Sequence, residues 1–245
     1  MNVINIISCG VGSLSQILLK SINNLFYSNF IIYDSLINLN LLNFSNILSI
    51  KLLVGKRFNQ YSILKKTIYN LIKISYNKYL ILCKLKSGDI NFFSRINNEI
   101  NYYNSNFINY IIIPGITTFI SSFCKLNWFL SKRYNISNIL FITYFNNNNF
   151  IKINKNFLNK IVIYYMINNN YYYIFNSIEK KFYRKKYFCF IESCNYIFEH
   201  IFIFNIYDYL FYINENFLKF NLPKILIIGD IYSYINIYKL YINII

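Results

Sequence analysis

Apolar residues along this chain fall into short runs bounded by glycine, proline or asparagine. Between them lie segments whose apolar positions recur at helical spacing. "VINIIS" (3–8), "FIIYD" (30–34), "IKLLV" (50–54), "YLILCKL" (79–85) and "YIIIP" (110–114) have the β-branched, continuous character of buried strands. Leu14, Ile17, Leu18, Ile22 and Leu25 share one face of a helix, which predicts a helix over 14–25. Helices are also predicted at 62–76 and 94–104. "KIVIYYMI", "KYFCFIES", "HIFIFNIYDYL" and "KILIIGDI" make a second strand-rich half, and "FNNNNFIKINKN" (145–156) reads as an exposed loop. Buried strands alternating with helices predict an α/β fold of two domains. Residues 1–113 carry a mostly parallel sheet and residues 114–245 a second, mixed sheet.

Composition narrows the class. In 245 residues, 56% are hydrophobic and 21% aromatic. That is far too much apolar material for a disordered chain. No apolar run reaches the ~18–20 residues that span a bilayer. The opening "MNVINIISCGVG" has no basic leader, so a cytoplasmic protein with no membrane partner is expected. The net charge of +16 has three readings: a nucleic-acid binder, attraction of a polyanionic small molecule, or a coding bias toward Lys, Asn, Ile, Tyr and Phe. The cations are scattered, with one cluster at "EKKFYRKKY" (179–187), which favours the bias and predicts no nucleic-acid partner. Cys9, Cys83, Cys124, Cys189 and Cys194 are odd in number and lack a CxxC spacing. With His200 as the only histidine, they predict no metal site and no disulfide framework, and read as small core residues.

Glycine is scarce, and its placement is regular. Gly10, Gly12, Gly55, Gly88, Gly115 and Gly229 each stand at or just past the C-terminal end of an apolar strand. In an open α/β sheet that edge is where ligands bind, because the loops there expose backbone N–H groups. Turn chemistry explains some of these glycines equally well. Their common placement favours a ligand-lined edge.

The ordered motifs carry a resemblance. "ISCGVGSLSQILLKS" (7–21) is similar to VGAGPGDPxLLTLKA, "IIYDSLI" (31–37) to VxYDRLV, and "VGKRFNQYS" (54–62) to VGKRxGxHS. "CKLKSGDINFFSRINNE" (83–99) parallels VRLKGGDPFIFGRGGEE, and "IIPGITTFISS" (112–122) parallels VVPGITSAIAA. "IYYMI" (163–167) looks like VFYMG, and "PKILIIGDI" (223–231) like PALIVVGxV. In this series the chain resembles the tetrapyrrole methylases, and among them those that act on uroporphyrinogen III. The resemblance implies a tetrapyrrole methylase-like fold, S-adenosylmethionine as methyl donor with no metal, and a homodimer. It implies methylation of uroporphyrinogen III at C2 and C7, giving precorrin-2 by way of precorrin-1 for siroheme or cobalamin.

Carried over residue by residue, the resemblance implies cofactor contacts at Gly10, Val11, Gly12, Ser87, Gly88, Asp89, Phe92, Thr117, Thr118, Met166 and Cys194. Asp34 and Lys56 match the family's proton acceptor and donor, and Arg57 and Arg133 its cations for substrate carboxylates. Each has a plainer reading: Asp89 as a turn aspartate, Thr117 as a helix cap, Met166 as core packing, Asp34 as a loop acid. Arg95 and Glu99, four apart, read as a helix-surface ion pair. The chain departs from the pattern at Ser8, Val11, Ser13, Ser35 and Lys65, in "SGDI" for GGDP, and in "SKR" (131–133) for THR. "KSGD" is also found in methylases of later corrin steps, so a later precorrin methylase is the alternative within the class. A basic nucleic-acid-binding module and an inactive relic are alternatives outside it.

Overall fold

The computed structural model describes residues 2–55, 65–79, 81–129, 138–143, 160–167, 174, 187–205 and 223–229. The chain divides into two compact units, Met1–Thr118 and Phe119–Ile245.

The first unit is built on five strands: β1 (Val3–Ser8), β2 (Phe30–Tyr33), β3 (Ile50–Leu53), β4 (Ile81–Lys86) and β5 (Tyr110–Ile113). They lie in the order β3-β2-β4-β1-β5, and every pairing is parallel. Parallel strands need a crossover to return, so the sheet is covered on both faces and its central strands are mainly apolar. On one face Ile4, Ile6, Phe30, Ile32 and Leu82 pack with Ile72 and Tyr103 of α2 (Lys65–Lys78) and α3 (Ile96–Ser105). On the other, Ile7, Ile31, Cys83 and Leu85 pack with Leu25 of α1 (Leu19–Phe26) and Leu41 of the 3₁₀ segment Leu39–Phe44. Each fully buried aliphatic side chain among them contributes about 1.5–3 kcal/mol.

The helix expected over 14–25 divides. Ser13 accepts a hydrogen bond from the Ser15 N–H and caps a 3₁₀ turn at Leu14–Gln16. Ile17 and Leu18 are then extended, and α1 begins only at Leu19. The cap comes just after Gly12, which is at φ +65°. A serine hydroxyl competing with the backbone shortens the helix that the apolar spacing alone predicts.

The second unit holds β6 (Asn138–Thr143), β7 (Lys160–Tyr165), β8 (Tyr187–Glu192), β9 (His200–Asn205) and β10 (Lys224–Gly229), in the order β6-β7-β10-β8-β9. The β6–β7 pair is parallel and the others antiparallel, which makes the sheet mixed. α4 (Thr118–Lys125) brings Phe119 to 4.7 Å, ring to ring, from Phe141 of β6. The α/β reading with a parallel first sheet and a mixed second sheet is borne out. The loop expected at 145–156 and nearly all of the 179–187 cluster lie outside the described residues. Four cysteines are buried as expected, but Cys124 is exposed, because it falls on the outer face of α4. Among the described residues, no helix is long and apolar enough to cross a membrane.

Candidate functional site

All five strands of the first sheet run the same way, so their C-terminal ends form one rim. Cys9–Gly10 follow β1, Asp34 follows β2, Val54–Gly55 follow β3, Ser87–Gly88–Asp89 follow β4, and Pro114–Gly115 follow β5. Nine of the eleven predicted cofactor residues thus belong to one sheet edge, eight in its loops and Thr118 at the start of α4. That is the edge at which a parallel sheet offers backbone donors to a ligand.

Two of these loops are joined directly. Gly88 N donates to Gly10 O at 2.7 Å and Gly10 N to Gly88 O at 3.3 Å, a single antiparallel bridge beyond the parallel ladder. The bridge turns both chains through positive φ, +66° at Gly10 and +71° at Gly88. Only glycine is unstrained there. Their surroundings differ. A Cβ at Gly10 would sit 2.4 Å from Gln16 O, whereas one at Gly88 would meet nothing within 4 Å among the described residues. Among those residues Gly10 is closed in and Gly88 is open.

Asp89 ties a third loop to this pair. Its Oδ1 accepts from Asn91 N at 2.7 Å, the geometry of a turn aspartate, and its Oδ2 accepts from Gly115 N at 2.9 Å. The "SGD" and "PGITT" segments are therefore joined by one carboxylate. Ser8, where the family pattern has glycine, is fully buried, and its hydroxyl accepts from Ile90 N at 3.0 Å. A Cβ on Gly115 would lie 2.5 Å from Ser8 Cβ, so glycine is required beside the serine. Val11 and Thr117 are buried, and Ser87, Phe92 and Thr118 are half-buried along the same rim. Asn38 donates to Gly12 O at 2.7 Å and fixes the outer end of the first loop.

Asp34 is half-buried at the end of β2. Its Oδ1 accepts from the Ser35 N–H at 2.6 Å and from the Ser35 hydroxyl at 3.3 Å. A Cβ at Gly55 would lie 2.3 Å from that oxygen, so Gly55 makes room for the aspartate's turn. Lys56, Arg57 and Arg133 lie outside the described residues.

The face of the first sheet that carries Asp34 also carries a buried ion-pair cluster absent from the sequence reading. Lys84 and Lys86, two apart on β4, point to one face. Their Nζ atoms lie 2.8 Å and 2.7 Å from the two oxygens of Glu99 in α3. The carboxylate predicted to pair with Arg95 on the helix surface thus has partners on the sheet beneath it. Burial by itself raises the Glu99 carboxyl, but the two ammonium groups outweigh it and hold the group below its usual range. Burial lowers Lys84, with Glu99 opposing. A cavity of about 160 Å³ opens beside the cluster, lined in part by Tyr69, Lys84, Arg95 and Glu99. The period-2 spacing of Lys84 and Lys86 was the available signal, since a strand buried on both faces has no reason to carry two cations without an anion.

In the second unit, β7 and β8 both run antiparallel to β10, so their C-terminal ends share an edge. The register that pairs Leu226 with Tyr164 and Lys224 with Glu192 puts Met166 level with Lys224, next to the Ser193–Cys194 turn. Met166 is 44% exposed with φ +56°, which excludes the core-packing reading. Cys194 is buried, its Sγ 3.4 Å from Ser122 Oγ, and burial raises its thiol. Of the seven non-glycine residues at positive φ among the described residues, Phe93, Arg95 and Met166 lie in the predicted segments, Ser193 and Asn195 flank Cys194, and Phe107 and Asn127 lie elsewhere. Such strain costs of order 1–3 kcal/mol each and is typical of ligand-binding loops.

No protein-family model matches the chain. A uroporphyrinogen-III C-methyltransferase of Cyanidium caldarium is 31% identical over 138 residues, covering 56% of this chain and 55% of that protein. A siroheme synthase of Blochmanniella pennsylvanica (strain BPEN) is 26% identical over 165 residues, covering 66% of this chain and 35% of that protein. The matches therefore span about a third to a half of the relatives' own length. Among solved structures, cobalt precorrin-4 methyltransferase, a cobalamin biosynthetic enzyme, superposes with a TM-score of 0.76 at 13% identity, covering 93% of this chain and 94% of that one. Uroporphyrin-III C-methyltransferase from Thermus thermophilus, complexed with S-adenosyl homocysteine, gives 0.72 at 16% identity, covering 93% and 92%. The chain has the fold of the tetrapyrrole methyltransferases, and the relatives it resembles in sequence are uroporphyrinogen-III C-methyltransferases and siroheme synthases.

Proposed function

We propose that this protein transfers methyl groups from S-adenosylmethionine to carbons of uroporphyrinogen III, at C2 and then C7, on the route to siroheme or cobalamin. The observation that carries the reading is the glycine rim. Gly10 and Gly115 are enclosed by neighbouring atoms, while Gly88, bridged to Gly10 at the end of β4, has none of the described residues within 4 Å of where a Cβ would sit. A nucleoside can approach the backbone closely at such a place, where no described side chain stands in the way. The residues present fit the donor: glycines that admit close approach and the buried Thr117 in the adjoining loop.

The donor supplies a sulfonium methyl that an electron-rich pyrrole carbon can attack. The work left to the chain is orientation and proton handling. Gly10, Val11, Gly12, Ser87, Gly88, Asp89, Phe92, Thr117 and Thr118 hold the nucleoside on the first unit's rim. Asp34 takes the proton that the methylated ring must lose, its carboxylate aimed by the Ser35 amide at Oδ1. Lys56 occupies the family's proton-donor position, and Arg57 and Arg133 hold substrate carboxylates. The protein works as a cytoplasmic homodimer. A later precorrin methylation is the second reading, favoured by the "KSGD" segment and compatible with the fold shared with cobalt precorrin-4 methyltransferase.

Titration calorimetry with S-adenosylhomocysteine, followed by turnover, tests the assignment. Asp34→Ala should keep the binding and lose at least about a hundredfold in rate, the scale of general-base catalysis. Wild-type protein that is folded and binds no S-adenosylhomocysteine contradicts it.

A further inference from the structure

We infer that Lys86 is a positioning residue, an ammonium clamp that holds the far end of the 87–95 loop and sets how well that loop receives the methyl donor; the second half of this rests on the proposed function. The near end of the loop is fixed by the Gly10–Gly88 bridge, and its middle by Asp89 to Gly115 N and by Ile90 N to Ser8 Oγ. Its far end leaves the rim toward α3, and there Lys86 reaches back. Its Nζ lies 2.7 Å from Glu99 Oε1 and donates to Ser94 O at 3.3 Å, while the Ser94 hydroxyl donates to Ile90 O. One side chain on β4 thus joins the first turn of α3 to the last turn of the loop. Ser94 passes the constraint to Ile90, whose amide is bound to Ser8. Phe93 and Arg95, on either side of Ser94, stand at φ +53° and +57°. Both are held against their conformational preference. A loop bent this way keeps its shape only if something fixes its end. Lys84 shares Glu99, so Lys86 can be removed without leaving the carboxylate unpaired.

The test compares the full chain with Lys86→Met and with Lys86→Arg, which retains a donor. Amide hydrogen exchange at Gly88, Ile90 and Gly115 reads the loop, and amides of β1 and β4 read the sheet. Lys86→Met should speed exchange at the three loop amides about tenfold, the size of one lost charge-assisted hydrogen bond, and leave the strand amides unchanged. Lys86→Arg should restore it. S-adenosylhomocysteine should bind Lys86→Met about tenfold more weakly. Unchanged loop exchange overturns the clamp, and so does equal acceleration in the strands, which marks a lysine that merely supports the unit. Loosened loop amides with undiminished affinity overturn its role toward the donor. A wild type that binds no S-adenosylhomocysteine defeats the proposed function instead, and the exchange data still decide the clamp.

Discussion

At the scale of single residues, the glycines and the buried polar groups do different work, and substitution separates them. Gly88→Ala adds a methyl that meets nothing among the described residues. Its stability cost is therefore that of positive φ alone, about 1–2 kcal/mol. If the open space over Gly88 is where the nucleoside lies, the same methyl should weaken S-adenosylhomocysteine far more than it lowers the melting temperature. Calorimetry beside thermal denaturation measures both. Gly10→Ala, aimed at Gln16 O, should cost stability first. Tyr103 is fully buried and, among the described residues, its hydroxyl has no hydrogen-bond partner. Tyr103→Phe should therefore be neutral or stabilising by up to about 1 kcal/mol, read from denaturant unfolding. Burial pushes the thiols of Cys9 and Cys83 up to about 12 and keeps those of Cys189 and Cys194 raised, which leaves Cys124 exposed. A thiol reagent on native protein should label Cys124 alone, and Cys124→Ser should abolish the labelling.

At the scale of elements, strands were legible and their ends were not. "VINIIS" and "KILIIG" are continuous apolar runs that have no stable place except inside a sheet, and they occupy β1 and β10 as read. The serine cap that splits 14–25 was not legible, because periodicity counts side chains and not the hydroxyl that competes for the backbone. β6 passed unread: "NILFIT" sits among asparagines that give no turn or strand signal of their own. The motif order located the glycine rim, and Asp89 was readable as a turn aspartate. Its second oxygen on Gly115, 26 residues on, could not be read, because the pairing exists only once β4 and β5 flank β1. The same holds for Glu99, whose partners are on the strand below. Breaking that cluster from the acid side should be costly: Glu99→Ala leaves two buried ammonium groups and should destabilise by about 3–5 kcal/mol in denaturant unfolding. At the end of β10, burial lowers Lys224 to about 8, with Glu192 opposing. The unfolded lysine takes its proton below about 10.5 and the folded one only below about 8. Stability therefore rises as pH climbs through that window, and Lys224→Met should flatten the dependence.

At the scale of the whole molecule, a parallel sheet and a mixed sheet in one chain give a fold shared by enzymes with different tetrapyrrole substrates, so the fold does not choose among them. The choice rests on residues: the ordered motifs, the open face of Gly88, and Asp34 in the turn that Gly55 permits. Neither the scattered positive charge nor the exposed aromatic residues enter that argument. The direct measurement is an anaerobic incubation of the purified protein with uroporphyrinogen III and S-adenosylmethionine, with the product resolved by mass and by position of substitution. The account predicts two methyl groups added, at C2 and C7, and a rate at least about a hundredfold lower from Asp34→Ala. A well-folded wild type that leaves uroporphyrinogen III unmethylated, or that methylates only a later precorrin, would contradict it.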